Sequence, residues 1–336
     1  MGDLLSALPV VKHELQSGTK VVLVVFPQLL SFLDLIEFGS IRENLTLHVL
    51  PPRITPRTLP ALLHSLSRYV PDIVWISPHA PGPASSWKVP LLFWLARRLY
   101  WRKATLAGLE SERFSHLFDK RIPVDRRLPF LRREWTGFSL VQIGQLPTQP
   151  PPIRFKDAIQ NARLQPPAYD LLIHPGAGAI NRKWPLTHYP ALLQHLPTEL
   201  RIAVLGLPQD IAAMQSVMPK DRQIDFFTGS LADAIIRIAT CRVALTMDSG
   251  NAFFAQVLNV PAIALFGASD PANVIGFEGS VQPMFEQQFS CQPCGRTRCR
   301  YQDVMCMSTL TPHRVAERIR QLLAENPWPK TAPLSL

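Results

Sequence analysis

Short apolar runs, none longer than a strand, recur along this chain with helix-length stretches between them, and a proline-rich break divides them into two series. The first series is Val21–Phe26 (VVLVVF), Leu45–Leu50 and Ile73–Ser77. The second is Leu171–His174, Arg201–Leu205 (RIAVL), Ile224–Thr228, Val243–Thr246 and Ala262–Phe266. Alternation of this kind predicts parallel sheets covered by helices, because parallel strands need a crossover long enough to hold a helix. Between Gln145 and Pro167 the stretch QLPTQPPPIRFKDAIQNARLQPP clusters prolines, which lack an amide donor and are predicted to exclude helix and central strand. The expectation is therefore α/β: two Rossmann-like, doubly wound domains at 1–150 and 168–326, a linker at 151–167 and a tail at 327–336. Leu231–Cys241 has the apolar spacing of a helix, and Thr311–Asn326 reads as an amphipathic helix capped by its threonine.

With 336 residues, 47% hydrophobic and 18% charged, the chain is long enough for two cores. Its longest apolar stretches, such as Val89–Ala96, fall far short of the roughly 20 residues a spanning helix needs. The opening MGDLLSALPVVKHEL has an acid at position 3 and no basic region before its apolar residues, so it does not resemble a secretory signal and the cytoplasm is expected. The net charge of +10 suits an anionic ligand, a nucleic acid or an acidic membrane surface, and does not choose among them.

The loops of the second series narrow the choice. In HPGAGAINRKWP, the apolar run ending at His174 opens into Gly176-Ala177-Gly178 and then carries Arg182 and Lys183. Gly229-Ser230 follows the Ile224–Thr228 run, and Asp248-Ser249-Gly250-Asn251 lies between an apolar run and a helical stretch. Any one such loop reads equally well as a capped helix start. Three in one domain, one with two adjacent cations, point to an anion held by loop amides and a helix amino terminus, and phosphate is the expected one.

From Leu171 to Ile319 the motifs HPGAGAINRKWP, VLGLPQD, FTGSLADAIIRIATCRVALTMDSGNAFFAQVLNVPAIALFGASDPA and a following cysteine cluster resemble, in order, the carboxyl-terminal half of the heptosyltransferases, glycosyltransferase family 9. The opening Gly2-Asp3, with Pro9 after it, is similar to the family's first motif. The resemblance implies a GT-B fold, with two Rossmann-like domains facing a cleft, the first binding the acceptor and the second the donor. It also implies inverting, metal-independent transfer from a nucleotide-diphosphate sugar, with ADP-heptose the leading donor. The implied acceptor is lipopolysaccharide core or another glycan or lipid-linked species. Asp3 would be the general base, Arg182 would stand where relatives carry a phosphate-binding lysine, and Asp210 would match a carboxylate near the ribose. Family members also have a strand before Gly-Asp, so the native chain is expected to extend upstream of Met1 by roughly ten residues, enough for one strand. A departure is Phe253 at the family's histidine position, which cannot donate to a phosphate. With the missing strand, it motivates the alternative of a nucleotide-binding GT-B protein impaired in catalysis.

Two features stay open. Cys291, Cys294, Cys299 and Cys306 are dense enough for a structural zinc ion or an iron-sulfur cluster, yet their spacing fits neither closely and free or paired thiols serve as well. Cys241 reads as a small buried hydrophobe. Ser85–Leu106 interleaves Trp, Phe, Leu and Tyr with Lys88, Arg97, Arg98, Arg102 and Lys103, which suits peripheral contact with an anionic inner membrane or a core helix with a basic outer face. No cofactor is expected for catalysis. The basic residues are spread over both domains and form no nucleic-acid module, so no nucleic-acid partner is expected.

Overall fold

The computed structural model describes residues 2–76, 88–110, 114–123, 128, 130–141, 150–273, 279–301 and 304–327, with backbone alone at 2, 3, 5, 6 and 130–133. The chain forms two compact units, Met1–Ile153 and Arg154–Leu336.

The first unit opens with α1 (Gly2–Gln16), β1 (Val21–Val25), α2 (Leu30–Leu33) and β2 (Leu45–Val49). It continues with α3 (Leu59–Leu66), β3 (Ile73–Ile76), α4 (Lys88–Leu99), β4 (Thr105–Leu109), β5 (Lys120–Ile122) and α5 (Phe130–Ser139). The three predicted strands are present, except that Ser77 lies outside the described residues. β4 and β5 were not predicted: β4 contains Ala107 and Gly108, which weaken a strand pattern, and β5 is a three-residue KRI. All pairings are parallel, but they make two sheets, β1–β2 and β3–β4–β5.

In α4, the apolar residues Val89, Leu92, Phe93 and Ala96 are buried in a core that also holds Leu63, Leu66, Val74 and Ile76. Arg97 pairs with Asp119 at 2.6 Å, and Arg98 lies over the Trp94 ring. α4 thus buries an apolar face and carries basic residues towards its end. Among the described residues, no helix is long and apolar enough to cross a membrane.

The second unit runs α6 (Asp157–Leu164), β6 (Tyr169–His174), α7 (His188–Gln194), β7 (Ile202–Leu205), α8 (Pro208–Val217), β8 (Ile224–Phe227) and α9 (Leu231–Ala239). It ends with β9 (Cys241–Met247), α10 (Gly250–Val257), β10 (Ala262–Phe266), β11 (Val281–Phe285), α11 (Met305–Ser308) and α12 (Pro312–Glu325). Six parallel strands form one sheet in the order β11-β10-β9-β6-β7-β8. Leu171, Leu172 and Ile173 of the central strand β6 are fully buried, and α7 and α12 pack side by side over it.

Three expectations need correction here. The stretch expected to exclude helix contains α6, since FKDAIQNARL between the two proline clusters holds no proline; its Ile159 is buried and it packs on α9. β11 was missed because VQPMF carries a proline, which an edge strand tolerates. Thr311 occupies the N-cap position of α12 with extended backbone, but its hydroxyl makes no capping hydrogen bond. The tail beyond residue 327 lies outside the described residues.

Candidate functional site

In a parallel sheet, the loops that leave the carboxyl ends of adjacent strands gather at one edge, and that is where open α/β sheets bind ligands. β9, β6 and β7 are neighbours in the second unit, so the loops after them converge. Two ion pairs tie those loops together. Arg182, after β6, lies 3.2 Å from Asp248, after β9; Lys183 lies 2.6 Å from Asp210, in the first turn of α8 after β7. The carboxylates are buried, while the cations keep about a third of their side-chain surface in solvent (29% and 33%). Positive charge therefore faces outward over a buried negative layer.

Gly176 is needed where it stands. A Cβ there would lie 3.0 Å from Asp210 Oδ2 and 3.1 Å from the His174 ring, tighter than ordinary contact. Its absence lets the loop backbone close over Asp210. Ala177 packs on the core, and Gly178 is exposed with open space around it. Gly250 and Asn251 begin α10 after the N-cap Ser249, whose extended backbone turns the chain into the helix. Their amide groups belong to the first turn, where a helix has unpaired donors.

Several buried polar atoms at this edge have no hydrogen-bond partner: His174 Nδ1, Thr246 Oγ1, Ser249 Oγ, Asp248 Oδ2 and Arg182 Nε. The last two form the 3.2 Å ion pair, so they attract as charges without hydrogen-bond alignment. His174 and Thr246 face each other in the β6–β9 ladder. Leaving such groups unmade costs about 1–3 kcal/mol each. Their concentration beside two partly exposed cations gives this edge groups that can meet a polar, anionic ligand. Burial pushes the His174 imidazole down to about 4, opposed by Asp210 and reinforced by Lys183, so the ring is neutral near pH 7.

The remaining expected residues lie in the loop after β8 and at the start of α1, with Phe253 further along α10. Ser230 is the N-cap of α9, and its hydroxyl and amide are both engaged with Asp233 in a capping box; Gly229 lies against the same carboxylate. The Ser230 side chain thus serves as a helix cap. Asp3 lies in the first turn of α1, in the other unit, and its side chain is outside the described residues. Phe253 is buried in α10.

Cys291, Cys294, Cys299 and Cys306 are partly exposed and form no disulfide, and Cys241 is a fully buried thiol that burial pushes up to about 12. The Cys306 thiol is raised by burial and by the three neighbouring cysteines. Among the described residues no three His, Cys, Asp or Glu side chains are placed to hold a metal. What orders this loop is Gln292, buried, donating to the Gly267 carbonyl and accepting from the amides of Gln288 and Phe289.

The family model for glycosyltransferase family 9 (heptosyltransferase) matches residues 86–305, well over half of the 336. The chain belongs to this family. A lipopolysaccharide heptosyltransferase 1 from Pseudomonas aeruginosa is 30% identical over 28% of this chain and 30% of its own length. A lipopolysaccharide heptosyltransferase 2 from Salmonella typhimurium is 26% identical over 43% of each chain. These sequence matches therefore span less than half of the curated relatives. The structure of the Escherichia coli ADP-heptose lipopolysaccharide heptosyltransferase II superposes with a TM-score of 0.68 at 19% identity, covering 96% of both chains. The fold is GT-B, shared with these heptosyltransferases.

Within this family 9 chain, sequence reasoning missed His174, Thr246 and the buried Asn181, which donates to the Arg296 carbonyl and ties the β6 loop to the cysteine loop. His174 was legible as the polar end of an apolar run. Thr246 was not, because nothing in a strand sequence says which hydroxyl will be left without a partner.

Proposed function

We propose that this chain is an inverting, metal-independent glycosyltransferase that takes a nucleotide-diphosphate sugar, ADP-heptose first among candidates, and transfers the sugar to a lipopolysaccharide-core or related lipid-linked acceptor. The observation that carries the reading is the pairing of Arg182 with Asp248 and Lys183 with Asp210 beside unpartnered hydroxyls of Thr246 and Ser249. A diphosphate would draw the two cations outward and accept from the hydroxyls and the first-turn amides of α10. Asp210 and Asp248, relieved of part of their pairing, would accept from sugar hydroxyls. One Escherichia coli heptosyltransferase has been solved both with ADP and with ADP-2-deoxy-2-fluoro heptose, which supports this donor class.

In the reaction, the acceptor hydroxyl attacks the anomeric carbon from the face opposite the diphosphate. The bond to the diphosphate oxygen breaks, and Asp3 takes the acceptor's proton as general base. Arg182 and Lys183 meet the charge that grows on the leaving oxygen, where preorganised cations contribute most. Peripheral contact with anionic lipid would use the exposed Leu99 and Tyr100 with Arg102 and Lys103. Phe253 favours the second reading, a nucleotide-binding protein impaired in catalysis, because it offers no donor where relatives carry histidine.

Two variants, assayed for ADP binding by calorimetry and for turnover, test the proposal. Arg182→Gln with Lys183→Gln keeps hydrogen-bonding partners for both carboxylates and is expected to weaken ADP binding by about 1.5–3 kcal/mol per charge removed. Asp3→Asn is expected to lower turnover by on the order of a hundredfold with ADP affinity unchanged. Unchanged affinity in the first variant removes the site, and a parent that binds ADP without turnover favours the impaired reading.

A further inference from the structure

The edge of the second unit that carries Arg182 and Lys183 has no excess of positive charge of its own. Asp248 and Asp210 match the two cations, and Asp270, after β10, adds a carboxylate that accepts from the Ala272 amide. A nucleotide-sugar diphosphate brings about one negative charge per phosphate. Cations already paired with carboxylates attract it weakly, so a site of this kind needs positive charge from elsewhere.

That charge reaches the edge on the cysteine loop. The buried Gln292 donates to the Gly267 carbonyl, and the Gly295 amide donates to the Ala268 carbonyl at 2.8 Å. The next residue, Arg296, accepts at its carbonyl from Asn181 Nδ2 at 2.9 Å. Gly267 and Ala268 leave β10, and Asn181 stands beside Arg182 in the loop after β6. β9 lies between those strands in the sheet, so the segment from Gln292 to Arg296 bridges the carboxyl end of β9, which continues into Asp248 and Ser249. Gly267 is needed at this crossing, because a Cβ there would lie 2.7 Å from Met307 Sδ and 2.9 Å from Cys306 Sγ.

Arg296, Arg298 and Arg300 of this loop are all exposed. Arg300 is engaged: its guanidinium lies 4.9 Å from the Tyr301 ring centre and hydrogen-bonds to Cys291. The side chains of Arg296 and Arg298 have no partner among the described residues. Beside them, Ser269 follows Ala268, to which the loop is tied, and its Oγ is buried without a hydrogen-bond partner. Unpaired guanidinium forks with a spare hydroxyl are the groups that phosphate oxygens take.

We propose that Arg296 and Arg298 are further binding residues for the diphosphate of the nucleotide sugar, supplying the positive excess that Arg182 and Lys183, held by their carboxylates, do not. The inference rests on the donor class proposed above. The arginines meet the phosphates from the β10 side while Arg182 and Lys183 meet them from the β6 side, and the Ser269 hydroxyl donates between. Their contribution is largest as the sugar leaves and charge grows on the diphosphate.

Calorimetry on the full chain with ADP and with inorganic pyrophosphate tests this. Arg296→Gln with Arg298→Gln is expected to weaken binding of both by on the order of tenfold or more. The dependence of ADP affinity on salt should also become shallower, a change that a merely structural role would not produce. Arg320→Gln, on α12 where Arg320 donates to the His195 carbonyl, also removes a surface charge and should leave ADP affinity unchanged. Failure of the donor reading is separable. Pyrophosphate binding that depends on the two arginines, with ADP held no tighter than pyrophosphate, keeps them as phosphate ligands and removes the nucleotide. Unchanged affinity for both probes in the arginine variant, a parent that binds neither, or a rise confined to the acceptor KM overturns the inference.

Discussion

β6 of the second unit and β1 and β3 of the first differ in burial although their sequences look alike. Leu171, Leu172 and Ile173 in β6 are fully buried between strands on both sides and helices on both faces, whereas Val22 in β1 and Ile73 in β3 remain 37% and 39% exposed. VVLVV and YDLLIH are comparable apolar runs. The difference lies in their neighbours: β6 pairs with β7 and β9, while among the described residues β1 and β3 each pair on one edge. A strand's contribution to stability is set by what pairs and packs with it as much as by its own residues.

The contrast can be broken first in the cores. Ile173→Ala is expected to destabilise the second unit by about 2–5 kcal/mol, the range for opening a cavity in a closed core. Val22→Ala should cost under about 1 kcal/mol, because much of that side chain is already in solvent. Urea denaturation followed by probes local to each unit measures both, and equal losses would mean that β1 is as enclosed as β6.

Acid should separate the units next. The unfolded imidazole of His174 titrates near 6.5 and the folded one near 4, so between these values the unfolded chain binds the extra proton. Stability contributed by the neutral buried ring is full above pH 6.5, falls as pH drops towards 4, and is lost by up to roughly 3 kcal/mol below that. The ring keeps some solvent contact, so the observed loss should lie under this figure. His174→Gln should flatten the acid limb of the second unit's stability and leave that of the first unit unchanged. A wild-type limb as flat as the variant's would place the ring in a wetter setting.

The smallest expected effect sharpens the site itself. Ser230→Ala removes the capping box of α9 and should cost about 1 kcal/mol in stability while ADP affinity stays the same. Weaker ADP binding by calorimetry, at unchanged helix stability, would put the Gly229-Ser230 loop back among the donor contacts.

Much of this molecule was legible from its residues. The apolar runs marked eight of the strands because a buried parallel strand must be apolar on both faces. The Gly176 loop and its cations were legible because a close backbone approach leaves a glycine and two adjacent cations stand out after it. Less visible were α6, hidden between prolines, and β5 and β11, whose short or proline-bearing sequences become strands only by pairing at a sheet edge.

By itself, then, the sequence determined the two-unit α/β plan, the identity of the loops that gather at the carboxyl ends of β6 and β9, and membership in a transferase family whose motifs lie in those loops. Only the tertiary structure decided which charges meet: that Arg182 takes Asp248 and Lys183 takes Asp210, that Ser230 belongs to a helix cap, and that His174 and Thr246 are left without partners. It alone showed that the first unit's sheet is divided. The physical reason is range. Periodicity and turn chemistry act over a few residues and are written in them, whereas ion pairs, orphaned hydroxyls and strand neighbours join residues distant in the chain, and are set when the strands take their order.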